Sequence, residues 1–323
     1  MIQVITPRGL RCDLQRVECV HWKETGHPRE LKHCLTSEPR YADCNVKYER
    51  MSEGVQKPAK LYKYRSLAPF DRRNTSRIIT RHEVYFASRS QFNDPFDCKF
   101  ITVWEGSDVA KVAFASRAAH MLYPAASPEK LQIVTKELAS KYSGPDGADH
   151  ILADQSQIVE EATRRIGIFS LSEVNSDILM WSHYADSHRG ICLEFSEMDV
   201  GDYHKVKYVK SVPRFNPLSE FRRDDETGSP VEQVVLSKWK HWKYEKEWRI
   251  LSFDRDRPDA TGPGRYGYDP QQLTGVILGS QISEDDRDDV LRWCRDQSHD
   301  IAISQAHEKA DKFGLDIVPY DPQ

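Results

Sequence analysis

The amino-acid sequence predicts an α+β protein with one mixed or antiparallel sheet that is bent or split and flanked by helices. Short runs typical of strands recur at residues 61–67, 166–171, 190–195 and 273–278, and the first of them alternates apolar and basic residues. Between the first two of them, residues 105–165 carry apolar side chains at spacings of three and four, as amphipathic helices do. We therefore expect these helices to form an insertion that packs on the sheet.

The composition is that of a globular protein. The 323 residues are 39% hydrophobic and 30% charged with a net charge of -4, and a chain of this length can bury a sizeable core. No run of 18 apolar residues and no secretory signal pattern occurs, and the seven cysteines are irregularly spaced, so we expect a cytoplasmic protein with free thiols. The acidic balance argues against broad, charge-driven nucleic-acid binding, although it leaves room for a local basic groove.

Residues 1–57 are predicted to be a poorly ordered N-terminal extension, and residues 58–323 a single α+β domain. The extension has no helical or strand period, but it is rich in cysteine and histidine, which are zinc-ligand types. The paired CxxC spacing of zinc sites is missing, so a zinc site is the weaker alternative. Its candidate ligands are Cys19, His21, His27, His33, Cys34 and Cys44.

The LYKYRSL run opens the predicted domain as a strand. Its alternation places Leu61, Lys63 and Arg65 on one face and two tyrosines on the other. Pro69 then favours the first turn of a helix that extends to about His82, because proline lacks the amide hydrogen that this turn leaves unpaired.

A short strand at residues 84–87 leads into a loop in which Asn93, Asp94 and Asp97 surround a proline. Asn-Asp-Pro favours a fixed turn. Such a turn suits either ligand binding or a structural clamp on the neighbouring backbone.

The next block predicts a strand at residues 166–171, a short helix at 177–184 with Ser172 as its N-cap, and a strand at 190–195. His183 and His188 are candidate metal ligands by residue type. Their i, i+5 spacing does not place two ligands on one helix face, so aromatic packing is favoured over a metal site.

The stretch KWKHWKYEKEWRILS follows a helix expected at residues 231–239. Glu245 and Glu247 stand two residues apart, so on a strand both carboxylates would point to the same face, beside several aromatic rings. Buried carboxylates need partners, and the available counter-charges are Lys246, Arg249 and the distant Arg65. We interpret this stretch as one wall of a site.

An arginine on one strand, a serine on a second and a Glu-x-Glu on a third together suit the cleavage of NAD between nicotinamide and ribose. A carboxylate would stabilise the positive charge that grows on the sugar, and Arg65 would hold the diphosphate or ribose. The aromatic candidates for sandwiching the nicotinamide are Tyr85, Trp181 and Tyr184. Each residue also has a structural interpretation, such as an ion pair of Arg65 with Asp94 or Glu247.

The phrases LYKYRS, FNDPFD, LMWSHYADSHRGICLEF and YEKEWRI resemble the signature of a widespread bacterial family of uncharacterised proteins, described as a domain of unknown function. This resemblance covers about residues 61–278 and implies no activity by itself.

A looser similarity links the layout to ADP-ribosyltransferases. Arg65 corresponds to their first-strand Arg or His, VYFAS at residues 84–88 is similar to the second strand of one branch, and SLS with Glu-x-Glu is similar to another branch. The resemblance implies an NAD-dependent transferase acting on an unknown macromolecule, in a bacterial toxin or phage-defence setting. Glu247 would be catalytic and Glu245 would orient the acceptor. The residues implied to hold NAD are Arg65, Tyr85, Ser88, Asn93, Asp94, Ser170, Ser172, Trp181 and Tyr184.

Two further hypotheses remain open. A metal-dependent nuclease or phosphodiesterase could gather Asp94, Asp97, Glu194 and Glu247 around a hard cation, although the lysine usual in such nucleases is missing. A non-catalytic sensor could bind a nucleotide or a partner protein through the aromatic groove.

Overall fold

The computed structural model describes residues 3–5, 11–13, 57–104, 107–216, 230–252 and 262–321. The chain divides into two compact units, Met1–Val55 and Gln56–Gln323. In the first unit, strands β1 (Gln3–Ile5) and β2 (Arg11–Asp13) pair antiparallel. The candidate zinc ligands from residue 19 onward lie outside the described residues, as does most of the predicted extension.

The second unit contains fourteen described strands and seven described helices. The strands are β3 (Leu61–Arg65), β4 (Glu83–Phe86), β5 (Ile101–Thr102), β6 (Gly167–Ser172), β7 (Ile191–Phe195), β8 (Asp202–Lys205), β9 (Lys207–Val209), β10 (Arg214–Phe215), β11 (Ser237–Trp239), β12 (Glu247–Ser252), β13 (Gly264–Gly267), β14 (Leu273–Leu278), β15 (Ala302–Glu308) and β16 (Leu315–Pro319). The helices are α1 (Pro69–Arg81), α2 (Asp108–Leu122), α3 (Pro128–Ser143), α4 (Gly147–Arg164), α5 (Ile178–Tyr184), α6 (Pro230–Val235) and α7 (Glu284–Arg295).

Eight strands form one mixed sheet in the order β16-β15-β14-β7-β3-β6-β12-β8. Strands β14 and β15 are parallel, and every other neighbouring pair in this sheet is antiparallel. Helices flank the sheet, so the predicted α+β class is confirmed. No helix of the described residues combines the length and apolar character that crossing a membrane requires.

The sheet is weakly joined between β3 and β6. Strand β3 pairs with β7 along its full length, from Leu61 to Arg65, but its pairing with β6 consists of the contact of Tyr62 with Ser172. Further along β6, Ile168 pairs instead with Ala87, which follows β4. Because one residue pair joins them, β3 and β6 diverge and leave a notch between the two parts of the sheet.

Helix α1 forms where the sequence predicts it. Pro69 lies in its first turn, and His82 ends it in the left-handed conformation with a φ of 52°, donating its backbone N–H to the carbonyl of Arg77. Both ends are set by local chemistry, which explains why the pattern alone located this helix.

Each face of the sheet has its own apolar cluster. On one face Leu61, Phe169 and Leu193 pack with residues of α1, and on the other Tyr64 packs with Trp181. The alternation expected for the LYKYRSL run is therefore correct. Helices α2, α3 and α4 surround a separate cluster that includes Phe114, Tyr142 and Ile151.

Three local expectations are wrong. Ser172 is the last residue of β6, and the N-cap of α5 is Asp177, whose carboxylate accepts from the amides of Leu179 and Met180. The helix expected at 231–239 ends at Val235, after which β11 pairs parallel with β9. Residues 240–245 form a 3₁₀ helix, so the strand that carries Glu247 begins after Glu245.

Candidate functional site

A pocket of about 760 Å³ opens in the notch between β3 and β6. Its walls come from β3, α1, β4 with the loop that follows it, β6, α5, β11, the 3₁₀ helix before β12, β12 and β13. The volume lies within the roughly 300–1,000 Å³ of ligand sites. The predicted site residues that line it are Arg65, Tyr85, Asn93, Ser170, Ser172, Tyr184, Glu245 and Glu247.

The remaining three predicted residues do not line this pocket. Trp181 is fully buried, donates its indole N–H to the carbonyl of Asn175 at 2.8 Å and meets Tyr64 edge-on, so it belongs to the core and does not sandwich a ligand. Ser88 precedes a short 3₁₀ helix at Arg89–Gln91, and its amide donates to the Gln91 side chain.

Asp94 closes a tight turn by accepting the amide of Phe96 at 2.8 Å. This contact agrees with the structural interpretation of the Asn-Asp-Pro turn at that residue, whereas Asn93 reaches the pocket.

A buried network of five charged side chains forms the acidic end of the pocket. The Lys238 amine contacts Glu245 Oε2 at 2.5 Å and Glu247 Oε2 at 3.0 Å. The Arg249 guanidinium donates to Glu247 Oε1 at 2.8 Å and to Asp97 Oδ2 at 2.7 Å. With three carboxylates against two cations, this network carries a formal charge of -1 when all five groups are ionised.

The two glutamates meet the same lysine for a reason that alternation did not predict. Glu245 ends the 3₁₀ helix, and Lys246 adopts a left-handed φ of 43° before β12 begins at Glu247. This turn brings both carboxylates to the amine of Lys238. The expected counter-charge Arg249 is confirmed, whereas Lys238 is a partner that sequence reasoning missed.

The network shifts the pKa values of the two glutamates in opposite directions. Burial alone would raise the pKa of Glu247, but the charges of Arg249 and Lys238, helped by the Ser170 hydroxyl, outweigh it and hold this pKa well below its usual range. Burial raises the pKa of Glu245, and the attraction of Lys238 offsets this only partly. Glu247 is thus the permanent anion, and Glu245 is the carboxylate that gains a proton more readily.

Tyr184 and Ser172 hold Glu245 in place. The Tyr184 hydroxyl donates to Glu245 Oε1 at 2.6 Å, and the Ser172 hydroxyl donates to the backbone carbonyl of Glu245 at 2.6 Å. Because its hydroxyl is occupied in this way, Ser172 supports the wall of the pocket through the backbone.

Arg65 lines the pocket without the carboxylate partners that were considered for it. Its Nε donates to Thr75 Oγ1 at 3.3 Å, and Thr75 in turn donates to the carbonyl of Ser66. Among the described residues no ion pair joins Arg65 to Asp94 or to Glu247: Asp94 accepts the amide of Phe96, and Glu247 pairs with Lys238 and Arg249.

Lys63 is a second cation on β3, two residues before Arg65. Its amine donates to the carbonyl of Ser170 at 2.7 Å and lies 4.8 Å from the centroid of the Phe169 ring. Burial, assisted by the charge of Arg65, lowers the pKa of Lys63 to about 7. The alternation of β3 already placed Lys63 on the face of Arg65, and this was the signal that could have added it to the site.

Tyr85 forms part of the pocket rim. It is 43% exposed, its hydroxyl accepts from the Gln91 amide at 3.0 Å, and the Arg265 guanidinium lies 5.8 Å from its ring centroid. An exposed ring at the mouth of a pocket is available to pack against a planar ligand group.

The carboxylates considered for a nuclease are not gathered in one place. Asp97 and Glu247 contact Arg249, whereas Glu194 contacts Lys60 at 2.7 Å and Thr274 at 2.8 Å. Among the residues that the structure describes, no group of three or more His, Cys, Asp or Glu side chains is arranged to hold a metal ion.

The two histidines considered as ligands make aromatic contacts. The His183 ring lies near those of Tyr184 and Trp242, and the His188 ring stacks with Trp181 at 6.3 Å. Aromatic packing was the favoured interpretation of these side chains.

Fold and site define an α+β protein with a polar pocket in a divided mixed sheet. Residues 180–250, which extend from α5 into β12, match a family described as "Protein of unknown function (DUF2971)". This match supports the resemblance to an uncharacterised family, and the matched residues include Lys238 and both glutamates of the pocket. Neither the curated proteins nor the solved structures contain a match to the chain.

Proposed function

We propose that this protein is an NAD-dependent ADP-ribosyltransferase that transfers ADP-ribose to a macromolecular acceptor. The proposal depends mainly on one observation: Arg65 of β3, Tyr85 of β4, Ser170 of β6 and Glu247 of β12 line a single pocket of dinucleotide size. These four residues are among the site residues that the sequence suggested, and they lie up to 182 positions apart in the chain.

The reaction breaks the bond between C1′ of the ribose and the nicotinamide nitrogen. The electron pair of that bond leaves with nicotinamide, which loses its positive charge, and positive charge grows on the ribose. A nucleophile of the acceptor then bonds to C1′ and releases a proton. An anion held beside the ribose lowers the barrier because it interacts most strongly when this charge is greatest.

Glu247 suits the role of that anion, because Arg249 and Lys238 keep it ionised. Glu245 suits the role of the group that orients the acceptor and takes its proton, because burial raises its pKa. Arg65 would hold the phosphates by bidentate hydrogen bonds, and the exposed ring of Tyr85 would cover a planar ring of the dinucleotide.

A toxin or phage-defence role in the cytoplasm is part of this proposal. NAD is abundant there, and transfer to a macromolecule of the host or of a phage would stop its function. The resemblance to ADP-ribosyltransferases suggested this setting, and the pocket chemistry is compatible with it.

The test is incubation of the protein with NAD labelled in its adenylate moiety and a bacterial lysate. We expect nicotinamide release together with a labelled macromolecule. Glu247→Gln should lower both by about 10²-fold or more, as the loss of a group that stabilises transition-state charge does. Glu137→Gln, which changes an exposed glutamate of α3, is the matched control and should leave both rates unchanged.

Glu247→Gln removes one charge of a buried network, so a loss of activity in this variant could also come from misfolding. A second variant separates these two causes. Tyr85→Ala changes an exposed rim residue and should raise the KM for NAD while the unfolding midpoint stays the same. If the folded protein does not release nicotinamide with any lysate, the transferase proposal fails. Binding of NAD without turnover would select the non-catalytic sensor in its place.

A further inference from the structure

A surface rich in lysine and aromatic residues adjoins the acidic end of the pocket. It consists of Lys207, Trp239, Lys240, His241, Trp242 and Lys243, which we call the basic-aromatic surface. All of them are exposed except Trp242, which is half-buried, and Trp239 is 48% exposed. The surface therefore presents aromatic rings and positive charges side by side.

The strand register brings these residues together. Strands β9 and β11 are parallel, with Lys207 opposite Ser237 and Val209 opposite Trp239, so Lys207 and Trp239 lie on the same face. The intervening Lys238 lies on the opposite face, where it contacts the glutamates of the pocket. One short strand therefore separates the basic-aromatic surface from the acidic end.

Two groups of aromatic rings, which meet in the chain at the consecutive residues His241 and Trp242, form a row from the surface to the pocket. The rings of Trp239 and His241 are 4.1 Å apart, and the Trp242 ring lies 6.0 Å from both His183 and Tyr244. His183 lines the pocket, next to Tyr184. A chain of stacked planar groups could follow this row from the outer surface to Glu245.

The cations of the surface are available to a ligand. Among the described residues, no carboxylate forms an ion pair with Lys207, Lys240 or Lys243, whereas the neighbouring Lys205 is paired with Glu173 at 2.6 Å. Three lysines thus present positive charge on a protein whose net charge is -4. The local charge opposes the overall charge, as in a binding site for an anion.

We propose that the basic-aromatic surface binds single-stranded nucleic acid and that this nucleic acid is the acceptor of the transfer. Aromatic platforms with interspersed cations bind single strands because bases stack on the rings while the backbone phosphates meet the cations. A duplex keeps its bases stacked on each other and could use the lysines only. The claim about the acceptor rests on the proposed transferase function, whereas the claim about binding does not.

At the pocket end of this row of rings, transfer of ADP-ribose to a base needs no further reactant. A base that stacks beside Trp242 and His183 would present a ring nitrogen or an exocyclic amine at the pocket. This nitrogen would bond to C1′ as the bond to nicotinamide breaks, and its proton would pass to Glu245. The products are the ADP-ribosylated base and nicotinamide.

The binding test uses fluorescein-labelled 20-nucleotide single strands of DNA and RNA and the corresponding duplexes, titrated with the full chain and followed by anisotropy. We expect single strands to bind more tightly than duplexes. The logarithm of the binding constant should fall with the logarithm of salt concentration with a slope of about -2, from three lysine–phosphate contacts. Tighter binding of the duplex would overturn the stacking argument.

Variants separate the surface from general charge effects. Trp239→Ala should weaken binding by roughly 5- to 150-fold, the range for the loss of one stacked base, and the double change of Lys240 and Lys243 to Ala should flatten the salt slope. The matched controls are Phe313→Ala, which is 99% exposed, and Lys136→Ala on α3. If the controls weaken binding equally, the surface has no special role.

Two measurements keep this inference distinct from the transferase proposal. If nicotinamide is released with a protein acceptor while no oligonucleotide binds, the inference fails and the transferase proposal stands. If oligonucleotides bind as expected but no NAD is cleaved, the binding site stands and the transferase proposal fails. Binding of an acidic peptide such as polyglutamate in preference to the oligonucleotides would assign the surface to a protein partner and overturn the inference.

Discussion

Glu245 and Glu247 contact the same amine of Lys238, yet their pKa values are displaced in opposite directions. The difference comes from Arg249, which donates to Glu247 but not to Glu245, and from burial, which is less fully compensated at Glu245. Two carboxylates with separated acidities can carry out two tasks in one reaction.

Tyr184→Phe should shift the acidic limb of the pH profile of transfer to higher pH. The hydroxyl of Tyr184 donates to Glu245 and favours its ionised form, so its removal raises the already raised pKa of Glu245. A proton acceptor works only when ionised, so transfer is lost as the pH falls through that pKa. The measurement is the rate of label transfer between pH 4 and pH 9.

Tyr123→Phe changes a 44% exposed tyrosine and serves as the control for this shift. An unchanged acidic limb in Tyr184→Phe would mean that Glu245 does not accept the proton.

Lys238→Met should destabilise the fold by about 3–5 kcal/mol, the usual cost of breaking a buried ion pair from one side. The change leaves Glu245 and Glu247 without their shared cation in a site where both are buried. Urea unfolding at pH 7 measures the loss. Adding Glu245→Gln to this variant should recover part of it, because one of the uncompensated charges is then gone.

Lys240→Met is the matched control, since this lysine lies two positions away and is exposed. We expect it to change the free energy of unfolding by less than about 0.5 kcal/mol. Equal losses in the two variants would show that the network does not stabilise the protein through Lys238.

Lys63→Met should raise stability at low pH and have little effect at high pH. The pKa of Lys63 is lowered from 10.5 to about 7 in the folded protein, so between these values the unfolded chain binds more protons. The destabilisation by Lys63 is therefore complete below about pH 7 and decreases as the pH rises toward 10.5. The difference from the wild type should be on the order of a few kcal/mol at pH 6.

The measurement is the difference in unfolding free energy between Lys63→Met and the wild type at pH 6 and at pH 9.5. Lys99→Met, which alters an exposed lysine, should give a difference that does not vary with pH. A constant difference for Lys63→Met as well would mean that its amine is not desolvated.

Gly190→Ala should destabilise the protein and weaken NAD binding. A Cβ at this position would lie 2.2 Å from the backbone carbonyl oxygen of Arg65, so β3 must shift at a residue of the pocket wall. Overpacking of this kind costs about 1–3 kcal/mol. Gly264→Ala is the control, because its Cβ would meet no atom within 4 Å.

Thermal unfolding and the Kd for NAD measure the two effects of Gly190→Ala. If both stay at the wild-type values, the contact between this glycine and Arg65 does not position the pocket.

Several elements were predictable from the sequence because their causes are local. Pro69 and the left-handed His82 delimit α1, and the alternation of LYKYRSL distributes Leu61 and Tyr64 to opposite faces of the sheet. The pattern was misleading at Glu245, where the left-handed Lys246 ends a 3₁₀ helix and displaces the expected strand. A single left-handed residue in a charged stretch has no distinctive sequence signal.

The sequence suggested that Arg65, Tyr85, Ser170 and the two glutamates belong to one site, and all of them line the pocket. Their roles in that site stay predictions. Trp181 was predicted to contact the ligand, but it packs in the core. The sequence around an aromatic residue does not show whether its side chain packs in the core or lines a pocket. Its full burial depends on neighbours such as Tyr64, 117 positions away.

By itself the sequence determined the α+β class, most strand and helix positions and the residue types that a polar site needs, since these depend on periodicity and on chemistry within a few residues. Tertiary structure alone decided that Lys238 joins Glu245 to Glu247, that Arg249 reaches Asp97 across 152 positions and that the amine of Lys63 meets the carbonyl of Ser170. Charge interactions and desolvation depend on distances in space, and only the folded chain sets those distances.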